Sequence, residues 1–310
     1  MDRLGVGMLS VFGLAPVKLV NLAADLGCHY VSTALQGMPL VPLSYPRFSL
    51  TDDAGLRQSV LAAMNDRGVT ISLGDGFLVL PGSDVSAFGT DLDVLAELGV
   101  PRINVVSLDP DLPRSFDQFA ALTELAAEPG IQTLLEPVPD LTVGDLPTAL
   151  AALEHVGRPA FRLLIDTMHL IRTGSGAADL TAIDPAHIGY AQLNDTTLRS
   201  RSGNYLEEAM FERMVPGEGE LPLRDILSAL PSDNVIELEV PRWSLALDGV
   251  SPTGSVRASR RRGGCCPRFP TQRAPGAAGR TPDRPGRRMR AQNNRGRDYD
   301  VRIALGPTGS

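Results

Sequence analysis

The first 243 residues repeat one rhythm, a short apolar run followed by a turn and an amphipathic segment that ends at Gly or Pro. Short apolar runs bounded by turn residues predict buried parallel strands, and apolar positions at helical spacing predict the helices between them. The predicted strands number eight and are 4–10, 29–34, 69–73, 102–107, 131–136, 161–166, 187–193 and 235–240. The predicted helices are 16–26, 53–67, 90–98, 115–127, 143–156, 177–182, 205–213 and 222–229.

Eight strand–helix units over about 245 residues are typical of a closed (β/α)8 TIM barrel, an α/β fold of about 250 residues. An open doubly wound sheet is the alternative, but the first strand is not followed by the Gly-x-Gly-x-x-Gly turn that dinucleotide-binding sheets carry. We therefore predict a TIM-barrel catalytic domain over residues 1–250. Its eighth helix is predicted to be incomplete or absent, because the apolar pattern that starts at 243 is not sustained.

Residues 251–310 break the pattern and form a predicted second region, a disordered tail rich in Arg, Pro and Gly. This segment has 14 Arg, 3 Asp and no Lys, a net charge of +11, whereas the whole chain carries −7. GC-rich coding sequence read out of frame has this composition, so a frame shift near residue 254 is the favoured explanation. A natural disordered tail is the second explanation, and a nucleic-acid-binding arm is the least favoured of the three.

No stretch approaches the ~18 apolar residues that a membrane span requires. The N-terminus enters a predicted strand directly, without the features of a signal peptide. The three cysteines, Cys28, Cys265 and Cys266, do not make a disulfide framework. We therefore expect a cytoplasmic protein with no membrane partner, and the sequence leaves a homo-oligomer open.

Four predicted strands in the second half carry an oxygen-bearing side chain at or near their C-terminal end, namely Glu136, Asp166, Gln192 and Glu239. Buried carboxylates are costly unless they are paired, hydrogen-bonded or bound to a metal. In TIM barrels the carboxyl ends of the strands meet at one face, where the chemistry lies. The four side chains therefore predict a site for a hard divalent cation such as Mg²⁺ or Mn²⁺. Glu237 faces the same side of its strand, and Glu239 is preferred because it lies nearer the C-terminal end.

Further polar residues follow these strands and are candidates for binding a substrate. His169 lies just beyond the strand that carries the second proposed ligand, where it could hydrogen-bond a substrate oxygen. Asp195 could orient a substrate hydroxyl, and Arg199 and Arg201 could hold a phosphate or carboxylate. Asp75, at the predicted end of the third strand, is a weaker candidate for the pocket.

These residues lie in short motifs, and the motifs and their order along the chain resemble those of one family. The motifs are Leu135-Glu136-Pro137, Asp166-Thr-Met-His169, Gln192-Leu-Asn-Asp195, Pro216-Gly-Glu-Gly219 and Ile236-Glu-Leu-Glu239. They resemble the sugar phosphate isomerase/epimerase family of xylose-isomerase-like TIM barrels, which includes ketose 3-epimerases and hydroxypyruvate isomerase. The resemblance covers roughly residues 4–245 and does not identify a substrate.

The resemblance implies a metal-dependent enzyme. In the family Glu, Asp, His and Glu hold the metal, and these positions fall on Glu136, Asp166, Gln192 and Glu239. Gln192 departs from the family pattern, although its amide oxygen can still be a ligand. The resemblance makes Glu136 and Glu239 the acid/base pair and His169 a substrate contact. The implied cofactor is one divalent cation, Mn²⁺ or Mg²⁺, with Co²⁺ or Zn²⁺ as alternatives.

The expected function is isomerisation or epimerisation of a small sugar or polyol-derived carbonyl substrate by proton transfer through a metal-stabilised enediolate. A lyase or dehydratase of the same superfamily needs the same chemistry and remains an alternative. A non-catalytic barrel that has lost full metal binding is another, because fold alone does not give function. DNA-repair endonucleases on this fold use His-rich zinc clusters, and the four His of this chain argue against that class.

Overall fold

The computed structural model describes residues 3–38, 43, 45–201 and 203–248. The predicted tail, 251–310, lies outside the described residues, as does the predicted domain boundary at 250. In the described part of the chain no helix has the length and apolar character needed to cross a membrane.

The strands and helices alternate along the described chain. The strands are β1 (Leu4–Val6), β2 (Tyr30–Ala34), β3 (Thr70–Val79), β4 (Arg102–Ser107), β5 (Gln132–Leu135), β6 (Phe161–Asp166), β7 (Ile188–Leu193) and β8 (Ile236–Leu238). The helices are α1 (Pro16–Asp25), α2 (Ala54–Arg67), α3 (Gly89–Glu97), α4 (Leu112–Ala127), α5 (Leu146–Val156), α6 (Thr167–Arg172), α7 (Ala177–Thr181), α8 (Tyr205–Phe211), α9 (Leu223–Ala229) and α10 (Trp243–Asp248).

The eight described strands form a closed parallel barrel in sequence order, with β1 paired to both β2 and β8. The predicted (β/α)8 TIM barrel is confirmed. In a closed barrel the first and last strands pair with each other, so no open sheet edge remains. The C-terminal ends of all eight strands therefore face one side, which positions the site.

The apolar core has two main parts. Most of it lies between the barrel and the surrounding helices and includes Val20, Leu122 and Ile226, all fully buried. A smaller cluster consists of Leu73, Leu134, Leu164, Tyr190 and Val235, which lie on or next to β3, β5, β6, β7 and β8. Inward-facing side chains fill the interior of a TIM barrel, and this cluster is part of that filling.

Helix starts follow ordinary capping chemistry. The carboxylates of Asp53, Asp111 and Asp145 accept from the backbone N–H groups three residues later, at the starts of α2, α4 and α5. Pro stands in the first turn of α4 and α5, where its missing N–H costs nothing. Gly68 and Gly157 end α2 and α5 with positive φ, as the glycine stops predicted.

The structure differs from the predicted elements in three places that bear on the site. β1 ends at Val6, and residues 8–11 form a 3-10 turn instead of continuing the strand. β3 runs to Val79, so Asp75 lies within it and not at its end. α8 ends at Phe211, two residues before the predicted end, which places Arg213 in the following loop. A helix after β8 does begin, as α10.

Candidate metal and active site

The candidate site is built by a period-2 pattern along three strands. On β5, β6 and β7, inward-facing apolar residues are followed two positions later by polar ones, so that Leu134, Leu164 and Tyr190 precede Glu136, Asp166 and Gln192. Side chains two apart on a strand point to the same face. The polar residues therefore form a layer above the apolar cluster, at the C-terminal mouth of the barrel. The register pairs Asp166 with Gln192 and Gln192 with Glu237.

Asp166 is the most fully hydrogen-bonded of these carboxylates. It caps α6, and its Oδ1 accepts from the backbone N–H groups of Met168 (2.8 Å) and His169 (3.0 Å). Its Oδ2 accepts from Asn194 Nδ2 at 2.7 Å and Arg213 Nη1 at 2.5 Å. Burial alone would raise the pKa of Asp166, but the charge of Arg213, the His169 ring and these hydrogen bonds hold it below its usual value.

Glu136 and His169 lie side by side. The Nε2 of His169 is 3.4 Å from Glu136 Oε1, and Glu136 Oε2 accepts from Asn104 Nδ2 at 2.7 Å. On the other side of the ring, His169 Nδ1 is 2.5 Å from the hydroxyl of Tyr205, at the start of α8. Both ring nitrogens of the imidazole therefore have a neighbour that orients the ring, and Nε2 is directed toward Glu136.

Gln192 connects Glu237, on β8, with Glu239, which directly follows that strand. Its Nε2 donates to Glu239 Oε1 at 3.1 Å and to Glu237 Oε1 at 3.3 Å. Its Oε1 is buried and has no hydrogen-bond partner. Buried polar atoms without a partner are rare and often mark the place of a ligand or ion.

Glu237 is fully buried beneath this group. Its Oε2 accepts from the hydroxyl of Tyr190 at 2.9 Å, and its Oε1 accepts from Ser32 Oγ at 3.3 Å. Burial, with the nearby Asp75 carboxyl, raises the pKa of Glu237 to about 8 against the lowering effect of its hydrogen bonds. Glu239 stands higher, at the mouth, and burial raises its pKa well above the usual value despite the charge of Arg213.

Arg213 is the buried cation of the site. Its Nη1 bridges Asp166 Oδ2 (2.5 Å) and Glu239 Oε2 (2.8 Å), and its Nε donates to the carbonyl of Ala209 at 2.6 Å. Burial would lower the pKa of the guanidinium, but Asp166, Glu239 and Glu136 raise it above its usual value. Arg213 therefore stays charged and contacts two of the four predicted metal-site residues.

Glu136, Asp166 and His169 form a compact group whose potential ligand atoms all lie within 4.8 Å of one another, and all three side chains are buried. Two carboxylates and an imidazole suit a divalent cation, and the free Oε1 of Gln192 adds a neutral oxygen donor nearby. The cluster is consistent with a metal site. Of the predicted ligands, Glu136 and Asp166 lie in this group together with His169, and Gln192 and Glu239 are hydrogen-bonded to each other.

Asp195 holds a loop. Its Oδ2 accepts from Gly217 N at 2.8 Å, its Oδ1 accepts from Leu221 N at 3.1 Å, and its backbone pairs with Met214. A Cβ at Gly219 would collide with the Asp195 carboxylate, and Gly217 has a φ of 92°. These contacts explain the Pro-Gly-Glu-Gly motif, and they fix the backbone next to Arg213. The structure therefore directs the Asp195 carboxylate to the loop backbone.

The two loop arginines are not brought to the cluster. Arg199 is exposed. Arg201 is also exposed, and its side chain donates to the Glu212 carbonyl at 3.0 Å and lies 4.0 Å from Glu208 Oε1. Asp75, by contrast, does belong to the buried network. Burial raises its pKa to about 7, offset by hydrogen bonds from Ser32 and Asn104, and the Glu136 charge adds to the rise.

Sequence reasoning missed Arg213, Tyr205, Asn104 and Asn194 as members of the site. Arg213 had one available signal, since it stands three residues before Pro216 in the loop that the motif identifies. The two asparagines lie on β4 and just after β7, where a period-2 count would have placed Asn194 on the same face as Gln192.

A profile described as the xylose isomerase-like TIM barrel family matches residues 20–261. The chain belongs to this family. A comparison with curated proteins finds no match.

Solved structures share the fold at low sequence identity. The IolI protein, solved with a bound zinc atom, is 20% identical, with a TM-score of 0.64 over 79% of this chain and 94% of that chain. The probable 3-DHS dehydratase AsbF of Bacillus anthracis is 15% identical, with a TM-score of 0.61 over 76% and 92%. A D-psicose 3-epimerase solved in the presence of D-fructose is 15% identical, with a TM-score of 0.59 over 79% and 89%. At these identities the likenesses establish the fold alone.

Proposed function

We propose that this protein is a divalent-metal-dependent isomerase or epimerase of a small sugar or polyol-derived carbonyl compound. The observation that carries the proposal is the buried group of Glu136, Asp166 and His169 at the C-terminal mouth of the barrel. Buried acidic groups that converge at the C-terminal mouth of a barrel are the common mark of a catalytic centre. Family membership and the likeness to a D-psicose 3-epimerase support the reaction class.

Glu136, Asp166 and His169 would hold the cation, with Gln192 Oε1 as a further oxygen donor. We propose Mn²⁺ or Mg²⁺, because most of these donors are oxygens. Zinc or cobalt is the alternative, supported by the imidazole donor and by the zinc in the IolI structure. When bound, the cation supplies positive charge that stabilises the enediolate formed when a carbon next to a carbonyl loses its proton.

Two carboxyl groups are placed to move that proton. Glu136 is oriented by Asn104 and directly follows β5, whereas Glu239 follows β8, with β6 and β7 between them. A substrate at the mouth would thus have one carboxyl group on either side. Glu239, whose pKa is raised by burial, is the proposed proton donor, while Glu136 takes the substrate proton.

His169 and Arg213 complete the electrostatics around the substrate. The Tyr205 hydroxyl fixes the opposite nitrogen of His169 and so holds Nε2 in the orientation that a ligand of the cation needs. Arg213 supplies a permanent positive charge against the negative charge that develops on the enediolate. Both residues are buried and need no reorganisation during the reaction.

The test is solvent exchange with a panel of ketoses and hydroxyketones. We expect the Mn²⁺-loaded protein to incorporate deuterium from D₂O at the carbon next to the carbonyl. Glu136→Gln and Glu239→Gln should each lower the rate by about 100-fold or more. Glu154→Gln, an exposed change on α5, is the matched control and should leave the rate unchanged. Absence of exchange across the panel with metal bound would refute the proposal.

A dehydratase is the second candidate, supported by the likeness to AsbF. It would use the same proton abstraction and then expel a hydroxyl group from the neighbouring carbon. The two reactions separate by product, because an epimerase returns a proton to the carbon and conserves mass, whereas a dehydratase releases water. Mass analysis of the exchange reactions distinguishes them.

A further inference from the structure

The buried site already contains a positive charge in direct contact with residues predicted to hold the metal. Arg213 Nη1 lies 2.5 Å from Asp166 Oδ2 and 2.8 Å from Glu239 Oε2, and the side chains of all three residues are almost completely buried. A buried carboxylate pair without a counter-charge would be strongly destabilising. The guanidinium supplies that counter-charge from within the chain.

We propose that Arg213 is a resident counter-ion that competes with the divalent cation for Asp166 and Glu239. This inference rests on the proposed metal site and adds how its affinity is set. In the metal-free protein the arginine holds the site in its folded arrangement. Metal binding then requires the guanidinium to give up at least part of its hold on these two carboxylates.

Competition follows from the number of acceptor positions. Asp166 Oδ1 already accepts two backbone N–H groups, and Oδ2 accepts Asn194 and Arg213. A carboxylate has about four lone-pair positions, so Asp166 has none left. On Glu239, Gln192 takes Oε1 and Arg213 takes Oε2. The other donors to these two carboxylates are backbone N–H groups and neutral side-chain amides. Arg213 is therefore the charged partner that a cation would replace.

The position of Arg213 is set by the fold around it. Its backbone N–H donates to the Pro241 carbonyl at 2.9 Å, and its two chain neighbours form isolated bridges, Glu212 with Arg242 and Met214 with Asp195. The segment is thus fastened both to the chain after β8 and to the chain after β7. The guanidinium is therefore delivered to the carboxylates by a fixed backbone and not by a flexible loop.

The test measures metal affinity without any substrate. Metal-stripped protein is titrated with MnCl₂ by calorimetry, for the wild type and for Arg213→Met, which keeps the bulk of the stem and removes the charge. We expect Arg213→Met to bind Mn²⁺ about tenfold or more tightly than the wild type, because a nearby positive charge is gone. Its thermal unfolding temperature should fall without metal and rise with Mn²⁺ by more than that of the wild type.

Arg172→Met is the matched control. Arg172 makes another buried ion pair, with Glu208 at 2.8 Å, on the helix that Asp166 caps. Its loss should not change the Mn²⁺ affinity. Equal tightening in both variants would overturn the proposal, because the effect would then be one of general charge.

Other outcomes also decide the matter. Mn²⁺ binding by Arg213→Met that is equal to or weaker than wild type, or no binding by either protein, overturns the proposal. If Arg213→Met does not fold, Arg213→Lys is the second variant, because it keeps a charge that cannot span both carboxylates. A Mn²⁺ affinity between that of the wild type and the tenfold expectation supports competition, whereas an unchanged affinity overturns it. Failure of deuterium exchange in protein that binds Mn²⁺ would refute the proposed function and leave this inference standing.

Discussion

The carboxyl group of Glu237 is buried in the barrel. Because the folded protein holds a proton on it that the unfolded chain releases, the metal-free protein should lose stability as the pH rises. Its pKa is raised from 4.5 to about 8 in the folded protein, chiefly by burial. Between these two values the folded state keeps a proton that the unfolded state releases. The free energy of unfolding therefore falls with rising pH across this window and levels off above pH 8.

The magnitude follows from the width of the window. One pH unit corresponds to about 1.4 kcal/mol per proton, so the fall between pH 5 and pH 8 is on the order of 4 kcal/mol for this one group. Asp75, whose pKa is raised to about 7, titrates in the same window and adds to the slope. A fall of this size is a large part of the stability of an ordinary domain.

Glu237→Gln should remove the part of this slope that belongs to Glu237. The amide fits the hydrogen bonds in place, because its oxygen can accept from Ser32 and Gln192 while its NH₂ donates to the hydroxyl of Tyr190. That hydroxyl can in turn donate to Ser72, whose Oγ lies 2.8 Å away. We therefore expect the variant to equal the wild type at pH 5 and to exceed it by on the order of 4 kcal/mol at pH 9.

The assay is urea unfolding in EDTA at pH 5, 7 and 9. Trp243, the single tryptophan, packs edge-on against Phe12 and Phe211, and its fluorescence reports on the mouth of the barrel. Glu154→Gln, exposed on α5, is the control and should follow the wild-type profile. Parallel pH profiles for wild type and Glu237→Gln would refute the reasoning, because they would mean that Glu237 is ionised in the fold at neutral pH.

Two further predictions concern the loop and the histidine. Gly219→Ala should destabilise the protein by about 3 kcal/mol, since the new Cβ would collide with the Asp195 carboxylate. The measurement is thermal unfolding, and Gly203→Ala, with open space around it, is the control. Equal effects of the two substitutions would contradict this account. Tyr205→Phe should leave the melting temperature nearly unchanged but lower the exchange rate by about tenfold, because His169 loses the partner that orients its ring. An unchanged rate would show that the ring needs no such partner.

The barrel and part of its site were predictable because they follow from local periodicity. Strand spacing placed Glu136, Asp166 and Gln192 at one face, and the structure brings all three to the mouth. Arg213 was not predictable in this way. It lies in a loop without periodicity, and its position depends on pairing between segments about 20 to 30 residues apart in sequence.

Turn chemistry misled the prediction at β3. The Gly74-Asp75-Gly76 sequence reads as a turn, because glycines punctuate strands. In the structure the strand continues, and the register with β4 shifts between Gly74 and Phe77. An irregularity of this kind re-aims side chains next to active sites. Asp75 therefore enters the buried network from within a strand, a placement that only the pairing partner reveals.

Charge balance at the mouth links the pH dependence to metal binding. The buried network contains carboxyl groups of Asp75, Glu136, Asp166, Glu237 and Glu239, with Arg213 as its permanent cation. One guanidinium cannot neutralise them all, and the metal-free protein keeps a proton on Glu237 at neutral pH. A divalent cation favours the ionised carboxylates and should expel about one proton at pH 7. Calorimetric titrations of Mn²⁺ in buffers of different ionisation enthalpy measure that number directly. We expect fewer protons at pH 9, where Glu237 is already ionised, and an equal release at both pH values would contradict the assignment.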